Sequence, residues 1–345
     1  MARATIFDIA QSAGVSTATV DRVLHGRKGV SAANRQRVFR AARHLGYLPS
    51  EGMVALPSRP ARLQFLIPFG ENAFLQDVAD SILGFAAQQP LVDRCEILPL
   101  RGIGPEALAD GLDRIAVETD GIGIITTDHP KTRDAIRRVC EAGLRVVTLA
   151  SDVPATPRSD FVGVDNRVAG RTAAQILGML AGGRSGKVAI CFGSHAFHGH
   201  SEREAGFRSC LAEHYRELSA LPTMETGEDR NRLRRDMVRM LRTHPDLTGV
   251  YCVGAGRTGL VEALDTASPR KRPFVVMHDL TDRTRRWLKA SRIDAVIDQN
   301  AHLIGEQAVL RLLGAIATDA PSHPRQHIEP RIILRENIPA GRTKT

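Results

Sequence analysis

Residues 5–46 read TIFDIAQSAGVSTATVDRVLHGRKGVSAANRQRVFRAARHLG, and this stretch predicts three short helices. Thr5 is followed three residues later by an aspartate, a pattern typical of a capped helix start. Apolar residues then recur at helical spacing until Gly14, which can adopt the left-handed conformation that ends a helix. Ser16 and Ser31 can cap the second and third helices. Short helices around a tight turn predict a helix-turn-helix domain.

The second predicted helix, residues 17–24, is amphipathic. Its apolar positions fall on one face and leave Thr17, Ala18 and Arg22 on the outward face. Short side chains let a helix approach base edges in a major groove, while a guanidinium can donate to guanine or phosphate. The alternative is a plain three-helix bundle whose exposed arginines only solvate it. So many like charges on so small a domain favour nucleic-acid binding.

Positive charge is concentrated at the N-terminus. The chain of 345 residues has a net charge of +9, and residues 1–60 contain nine cations and three acids, a net charge of +6. A basic head on a nearly neutral body is typical of a protein with a polyanionic partner. The length is too great for one compact core and predicts two or three domains.

The head resembles the DNA-binding domain of the lactose-repressor (LacI/GalR) family of transcriptional regulators. The resemblance is carried by the D-I-A-x-x-A-G-V-S-x-x-T-V run from Asp8 to Val20, by V-S-x-x-x-R at 30–35 and by Gly-Tyr-x-Pro at 46–49. It implies a helix-turn-helix domain over residues 1–49 in which the start of the second helix reads bases. The side chains expected to contact DNA in this domain are Thr5, Ser16, Thr17, Ala18, Arg22, Ser31 and Arg35.

Residues 50–61 are rich in proline, glycine and serine, which predicts a hinge or linker. In the resembled family this segment forms a short helix on DNA, and a leucine opens the central minor-groove step. Leu56 lies at the matching distance and is the expected DNA-contacting wedge. Met53 and Val54 stand where Ala-Arg is common, and Gly52 disfavours a helix by up to about 1 kcal/mol relative to alanine. Ordinary linker packing of Leu56 is the alternative.

From residue 62 to residue 345, short apolar strands alternate with amphipathic helical stretches. This alternation predicts an α/β body with parallel sheets, helices on both faces and two lobes. Ligands of such folds bind at the carboxyl ends of the strands, in the cleft between the lobes.

Two glycine-rich segments of the body are reminiscent of phosphate sites. Gly182-Gly-Arg-Ser-Gly-Lys187 is one residue too short for a phosphate loop and lacks the following serine or threonine, so it predicts a helix-to-strand turn. Gly254-Ala-Gly-Arg-Thr-Gly259 follows a strand and opens a helix, but it lies late in the chain. It predicts a glycine-rich turn at the cleft, with dinucleotide binding as the alternative.

His195, His198 and His200 cluster within Ser-His-Ala-Phe-His-Gly-His. No cysteine or acidic pair stands at metal-site spacing, so a cleft loop is expected and no metal site. The five cysteines form no CxxC pattern and predict structural thiols in a reducing compartment. No cofactor is expected.

The body resembles the sugar-binding fold shared by the lactose-repressor family and periplasmic binding proteins. The motifs are Gly163-Val-Asp-Asn166 with Gly170, Arg203-Glu-Ala-Gly-Phe207, the Gly254 turn, His278-Asp279 and Asp298-Gln299. The resemblance implies a ligand held by an arginine, carboxylates and amides, with an aromatic ring beside it. The side chains expected to bind this ligand are Asn72, Phe74, Asp128, Asp152, Arg203, Arg257, Asp279 and Gln299.

Arg257 departs from the pattern of the resembled family, in which an Asn-Asp pair usually occupies this turn. An added cation favours an acidic or phosphorylated ligand over a neutral hexose.

Together these features predict an all-α helix-turn-helix head followed by a two-lobed α/β body of the periplasmic-binding-protein type I class, over residues 62–345. The expected function is a cytoplasmic, sequence-specific transcriptional repressor controlled by a sugar, a polyol or a derivative. A transcriptional activator of the same family is the alternative. The family pattern implies a homodimer, with a tetramer left open, on a pseudo-palindromic operator in double-stranded DNA.

Two other classes of protein are disfavoured. A transport-type binding protein does not explain the basic head, and residues 1–10 lack the unbroken apolar core of a signal peptide. No apolar run approaches the length needed to cross a membrane. An enzyme is not expected, because no nucleophile with a positioned base and no carboxylate pair stands out.

Overall fold

The computed structural model describes residues 5–24, 29–45, 57, 59–70, 72–115, 118–254, 256–269, 271–317 and 327–340. These residues form a helical head and an α/β body with two sheets. Leu56 and most of the predicted linker lie outside the described residues.

The head contains α1 (Ile6–Ala13), α2 (Thr17–Leu24) and α3 (Ala32–His44). The predicted caps are confirmed, because the hydroxyls of Thr5, Ser16 and Ser31 accept from the backbone N–H three residues later at 3.3, 3.2 and 3.3 Å. Gly14 ends α1 with a φ of 62°. One apolar core joins the three helices: Ile9, Ala10, Ala13, Val20, Val23, Val38, Ala41 and Ala42.

The N-terminal lobe of the body is a five-stranded parallel sheet with strand order β2-β1-β3-β4-β5. Its strands are β1 (Ala61–Pro68), β2 (Val92–Leu100), β3 (Gly121–Ile124), β4 (Arg145–Leu149) and β5 (Asp160–Val162). One face is covered by α4 (Ala73–Ala86) and α12 (Ala301–Ala317), the other by α5 (Pro105–Leu112) and α6 (Pro130–Glu141). Because both faces are covered, the central strands are continuous apolar runs.

The C-terminal lobe has a seven-stranded sheet with order β12-β11-β10-β9-β6-β7, and β8 also pairs with β6. Its strands are β6 (Gly186–Phe192), β7 (Leu218–Ala220), β8 (Met224–Glu225), β9 (Leu247–Cys252), β10 (Phe274–His278), β11 (Ala295–Asp298) and β12 (Arg331–Ile333). One face is covered by α7 (Asn166–Ala181) and α8 (His198–His214), the other by α9 (Arg230–Thr243), α10 (Arg257–Ala267) and α11 (Asp282–Lys289). A 3-10 turn, Arg335–Asn337, follows β12.

The chain passes between the lobes three times: from β5 into α7, from β11 into α12, and from α12 to β12. Val164 and Ile328 form an isolated parallel bridge, so two of these connections lie side by side. Connections of this kind form a hinge about which two lobes can rotate.

The predicted alternation of strands and helices is confirmed, and so is the turn between Ala181 and Gly186. One strand departs from the prediction of parallel sheets: β12 pairs antiparallel with β11. β1 begins at Ala61, the last residue of the predicted linker. None of the helices in the described part of the chain is long and apolar enough to cross a membrane.

Candidate functional site

A cavity of about 110 Å³ lies between the two lobes, at the carboxyl ends of their strands. Doubly wound folds bind ligands in this position. One wall is formed by α4 and the loops that follow β1, β2, β3 and β4. The other is formed by α8 and the loops that follow β6, β8, β9, β10 and β11. The lining residues are Pro68, Phe69, Gly70, Asn72, Phe74, Leu75, Ile103, Ile125, Ala150, Ser151, Phe197, Gly199, His200, Arg203, Glu228, Gly254, Asp279 and Gln299.

The structure brings five of the eight predicted ligand-binding residues to this cavity: Asn72, Phe74, Arg203, Asp279 and Gln299. Asp128, Asp152 and Arg257 are not among the lining residues. The Asp128 carboxylate forms an ion pair with Arg133, with 2.6 Å between Arg133 Nε and Asp128 Oδ1. The buried Asp152 carboxylate accepts from Thr148 Oγ1 at 2.7 Å and forms an ion pair with Arg158. The two carboxylates follow their strands as expected, but neighbouring side chains engage them outside the cavity.

Arg203 is the charged donor of the cavity. It lies on α8 and is 4% exposed. Its Nε donates to Asn166 Oδ1 at 2.8 Å, and its Nη2 donates to Gln299 Oε1 at 2.7 Å. Burial lowers the pKa of this guanidinium, which stays charged at neutral pH. Both partners are neutral, and Nη1 makes no hydrogen bond to a described residue, so Arg203 can offer a charge-assisted hydrogen bond to a ligand.

Asp279 is held on both of its oxygens. Oδ1 accepts from Gln299 Nε2 at 2.7 Å, and Oδ2 accepts from Arg257 Nη1 at 3.2 Å. Burial raises the pKa of the carboxyl group, and Arg257 and Arg203 oppose this effect. The charge of Arg257 is therefore compensated inside the protein. The expected preference for an acidic ligand, which rested on that charge, loses its basis.

Close packing of α7 against α8 sets the position of Arg203. A Cβ added to Gly170 of α7 would lie 2.0 Å from the carbonyl oxygen of Arg203, and one added to Gly206 of α8 would lie 2.1 Å from that of Arg167. Neither backbone leaves room for a side chain. The two glycines let α7 and α8 approach closely enough for Asn166 to bond to Arg203.

Two buried histidines lie close to the arginines. The Nδ1–H of His200 donates to Ser194 O at 2.9 Å, and burial, together with Arg203, lowers the pKa of His200 to about 3. His278 Nε2 lies 2.7 Å from the Tyr251 hydroxyl, and burial, with Arg203 and Arg257, lowers its pKa far below the ordinary range. Both imidazoles are therefore neutral at pH 7.

Three of the six non-glycine residues with positive φ in the described part of the chain line the cavity. Ala150, Glu228 and Asp279 line it with φ of 58°, 65° and 66°. Each such residue costs about 1–3 kcal/mol and persists only where its surroundings enforce it. Strain of this kind is typical of functional sites.

Several lining residues were not predicted from the sequence. Ser151 directly precedes the predicted Asp152, so the resemblance identified the correct loop, but Ser151 and not Asp152 lines the cavity. His200 belongs to the histidine cluster and lies at the cleft as predicted, but it is part of the first turn of α8 and not of a loop. Glu228 lies in the turn between β8 and α9, and Phe197 immediately precedes α8. Neither position has a sequence signal of its own.

The other histidines of the cluster lie beside this wall. His195 Nε2 is 2.7 Å from Glu204 Oε2, and His195 Nδ1 is 3.5 Å from Glu225 Oε2. Burial opposes protonation of His195, but the hydrogen bonds that its ring donates to these two carboxylates outweigh burial and raise its pKa. Among the described residues, no group of three or more His, Cys, Asp or Glu side chains is placed to hold a metal ion.

In the head, one face of α2 is open to solvent. Thr17, Ala18 and Arg22 are exposed, whereas Val20 and Val23 are buried in the head core. This face therefore presents short side chains and a guanidinium, as the amphipathic pattern predicts. Gly29, at the end of the turn after α2, lies close to Arg22.

The other predicted DNA contacts are spread over the head. Thr5, Ser16 and Ser31 lie at the N-termini of their helices, where their hydroxyls cap the backbone. Arg35 is half-buried on α3. Leu56 lies outside the described residues.

The chain joins a basic helix-turn-helix head to a two-lobed α/β body with a cleft. The chain belongs to the periplasmic binding protein domain family over residues 107–318, and residues 5–50 match the bacterial regulatory proteins of the lacI family. The chain therefore combines an N-terminal domain that matches the lacI family with a periplasmic-binding-protein body.

Two relatives illustrate the match along the sequence. The HTH-type transcriptional regulator DegA of Bacillus subtilis is 26% identical over 219 residues, 61% of each chain. The HTH-type transcriptional repressor PurR of Vibrio parahaemolyticus is 33% identical over 87 residues, 25% of this chain and 26% of PurR. The matched part of the chain therefore spans less than two thirds of the length of these relatives.

Solved structures show the fold of the body. The glucose-galactose binding protein GanP of Geobacillus stearothermophilus superimposes with a TM-score of 0.74 and 21% identity, over 82% of this chain and all of GanP. A solute binding protein of Burkholderia graminis, solved with D-arabinose, gives a TM-score of 0.73 and 24% identity, over 81% of this chain and 96% of that protein.

Proposed function

We propose that the protein is a transcriptional repressor whose affinity for an operator is controlled by a neutral polyhydroxylated ligand such as a sugar or polyol. This proposal rests on the presence, in one chain, of a basic head with an exposed face on α2 and of an interlobe cavity with a charged donor. A transcriptional activator is the second candidate. Ligand that closes the lobes changes the arrangement of the two heads in a dimer, and DNA must in turn alter the affinity for ligand.

The chemistry of the cavity supports a neutral polar ligand with an apolar face. Phe69, Phe74 and Phe197 provide aromatic walls, and Arg203, Asp279 and Gln299 offer hydrogen-bonding groups beside them. Vicinal hydroxyls both donate and accept, which suits this combination of groups. The sugars named for the two solved relatives agree with the proposal.

We further propose that the protein forms homodimers, that it is intracellular, that it needs no cofactor and that it catalyses no reaction. A dimer places two heads at successive half-sites of a pseudo-palindrome. A DNA target requires the protein to reside with the chromosome. The proposed domains are the head over 1–49, the linker over 50–61 and the body over 62–345.

Thr17→Glu should weaken binding to the DNA that flanks the gene by about 100-fold, because a carboxylate replaces a short side chain against bases and phosphates. Glutamate in the first turn of a helix favours folding, so the head should remain intact. Binding is measured by fluorescence anisotropy with excess competitor DNA at fixed salt.

Asn231→Glu is the matched control, because it makes the same charge change on an exposed first-turn position of α9. This variant should bind DNA like the wild type. Failure of the wild type to prefer any DNA near its gene would refute sequence-specific regulation. Equal losses in both variants would show that net charge, not the face of α2, determines affinity.

Arg203→Ala should sharply reduce the rise in melting temperature that a cognate ligand produces, since it removes the charged donor of the cavity. Loss of a charge-assisted hydrogen bond lowers affinity by about 10- to 100-fold. A thermal-shift screen with neutral sugars, polyols and their phosphates identifies the ligand. Arg208→Ala, on the same helix but outside the cavity, should respond like the wild type. An unchanged response of Arg203→Ala would place the ligand elsewhere.

A further inference from the structure

Arg257 connects the two lobes at the edge of the cleft. It is the first residue of α10 in the C-terminal lobe, where Nη1 bonds to Asp279 Oδ2 and to the carbonyl oxygen of His278. Its Nη2 donates to Asn72 Oδ1 at 3.2 Å, and Asn72 belongs to the N-terminal lobe. Arg257 is only 7% exposed. One guanidinium is therefore shared between the lobes in a largely dry environment.

A second, smaller cavity of about 20 Å³, the outer groove, lies on the other side of this guanidinium. The N-terminal lobe contributes Ala73, and the C-terminal lobe contributes Arg257, Arg283 and Trp287 among others. Arg257 thus lies at the junction of the lobes, between the ligand cavity and the outer groove. Trp287, the single tryptophan of the chain, borders that groove.

Other bonds across the cleft involve the backbone. Gly199 N donates to Ser151 Oγ at 3.2 Å, and Asp128 N donates to Ala196 O at 2.7 Å. Neither pair includes a charged side chain as donor. The bond from Arg257 to Asn72 has a charged donor and is therefore stronger than a bond between neutral groups. The same guanidinium also neutralises Asp279.

We propose that Arg257 is a positioning residue that fastens the lobes through Asn72 and at the same time holds Asp279 in place for the ligand. This role at the ligand cavity rests on the proposed function. The fastening of the lobes does not, because it concerns the opening of the cleft alone. Closure of the cleft and the orientation of Asp279 are coupled, since one guanidinium serves both.

Three substitutions distinguish the bond between the lobes from the role of each residue within its own lobe. Asn72→Ser keeps a side chain able to cap α4 but is too short to reach Arg257. Arg257→Lys keeps a cation beside Asp279 but has a single ammonium group in place of the fork that bonds in two directions. Asn72→Asp keeps the cap and adds charge to the bond. Arg283→Met is the matched control, because Arg283 borders the same groove but bonds to Thr258 within the C-terminal lobe, at 3.2 Å.

Closure is measured on the full chain without DNA or added ligand, by small-angle scattering and by acrylamide quenching of Trp287 fluorescence. Asn72→Ser and Arg257→Lys should both shift the ratio of open to closed molecules toward the open state by about tenfold. The radius of gyration and the access of acrylamide to Trp287 should rise together. Asn72→Asp should shift both readouts the opposite way, and Arg283→Met should leave the radius of gyration unchanged.

A change in Arg257→Lys without a change in Asn72→Ser would overturn the proposal, because Arg257 would then act within its own lobe. Wild-type scattering and quenching in both variants would overturn it as well. Neither result would touch the proposed function, which is tested by binding to DNA and to ligand. Conversely, loss of the proposed function would leave the closure measurements valid.

Discussion

Gly170→Ala should lower the free energy of unfolding by about 3 kcal/mol, although alanine favours a helix more than glycine does. The added Cβ would lie 2.0 Å from the carbonyl oxygen of Arg203 and 2.8 Å from its carbonyl carbon. Backbone atoms of a packed helix cannot rotate away, so α7 and α8 must separate. That separation strains the bond from Arg203 to Asn166 and affects the ligand cavity as well as the core. Urea unfolding, followed by circular dichroism, measures the loss.

Gly84→Ala on α4 is the matched control. Apart from its chain neighbours and the backbone of α4 itself, no heavy atom of the described residues lies within 4 Å of a Cβ added to Gly84, so the substitution should stabilise the protein by up to about 1 kcal/mol. The two variants make the same chemical change in a helix and should shift the urea midpoint in opposite directions. A stabilising effect of Gly170→Ala would mean that α7 and α8 are not in close contact.

The head was predictable from its sequence because its structure is determined locally. Each cap joins a hydroxyl to an N–H three residues away, and Gly14 ends α1 through its own backbone conformation. The apolar period then identifies the buried face of α2 without knowledge of the third helix. Such interactions span one or two turns, and sequence reasoning captures them.

The body was predictable only in part. Alternating strands and helices predicted the two-lobed fold, and the resemblance to the sugar-binding fold identified Asp279 and Gln299 as cavity residues. A resemblance in sequence does not decide which polar residue of a loop faces the cavity, because that depends on the side chains that surround each residue in the folded loop. Asp152 is engaged by Arg158, whereas its neighbour Ser151 lines the cavity.

Arg257 is the clearest case of this limit. The sequence marks it as an added cation at a ligand-binding turn, which suggested an acidic ligand. The structure directs its guanidinium toward Asp279 and toward Asn72, 185 residues away along the chain. Local spacing contains no information on a contact that forms only when two lobes meet. The charge of a site follows from these long-range pairs and not from a count of its arginines.

Acidification from pH 7 to pH 4.5 should destabilise the protein, and His200 alone should account for about 2–3 kcal/mol of the loss. Burial lowers the pKa of His200 to about 3 in the folded protein, whereas an unfolded histidine has a pKa of about 6.5. Between these values the unfolded chain binds a proton that the folded chain does not. Stability is therefore lost as the pH falls below about 6.5, and buried His278 acts in the same direction.

His200→Asn isolates this contribution. The amide of asparagine can replace the Nδ1–H that donates to Ser194 O, but it does not titrate. The difference in unfolding free energy between pH 7 and pH 4.5, measured in urea, should shrink by about 2–3 kcal/mol. Phe197→Leu, which alters the ring packed on His200 at 5.1 Å between centroids, should lower stability equally at both pH values. If His200→Asn kept the pH dependence of the wild type, the folded protein would accommodate a charged imidazole beside Arg203. The ligand cavity would then gain a positive charge in acid, although His200 is buried.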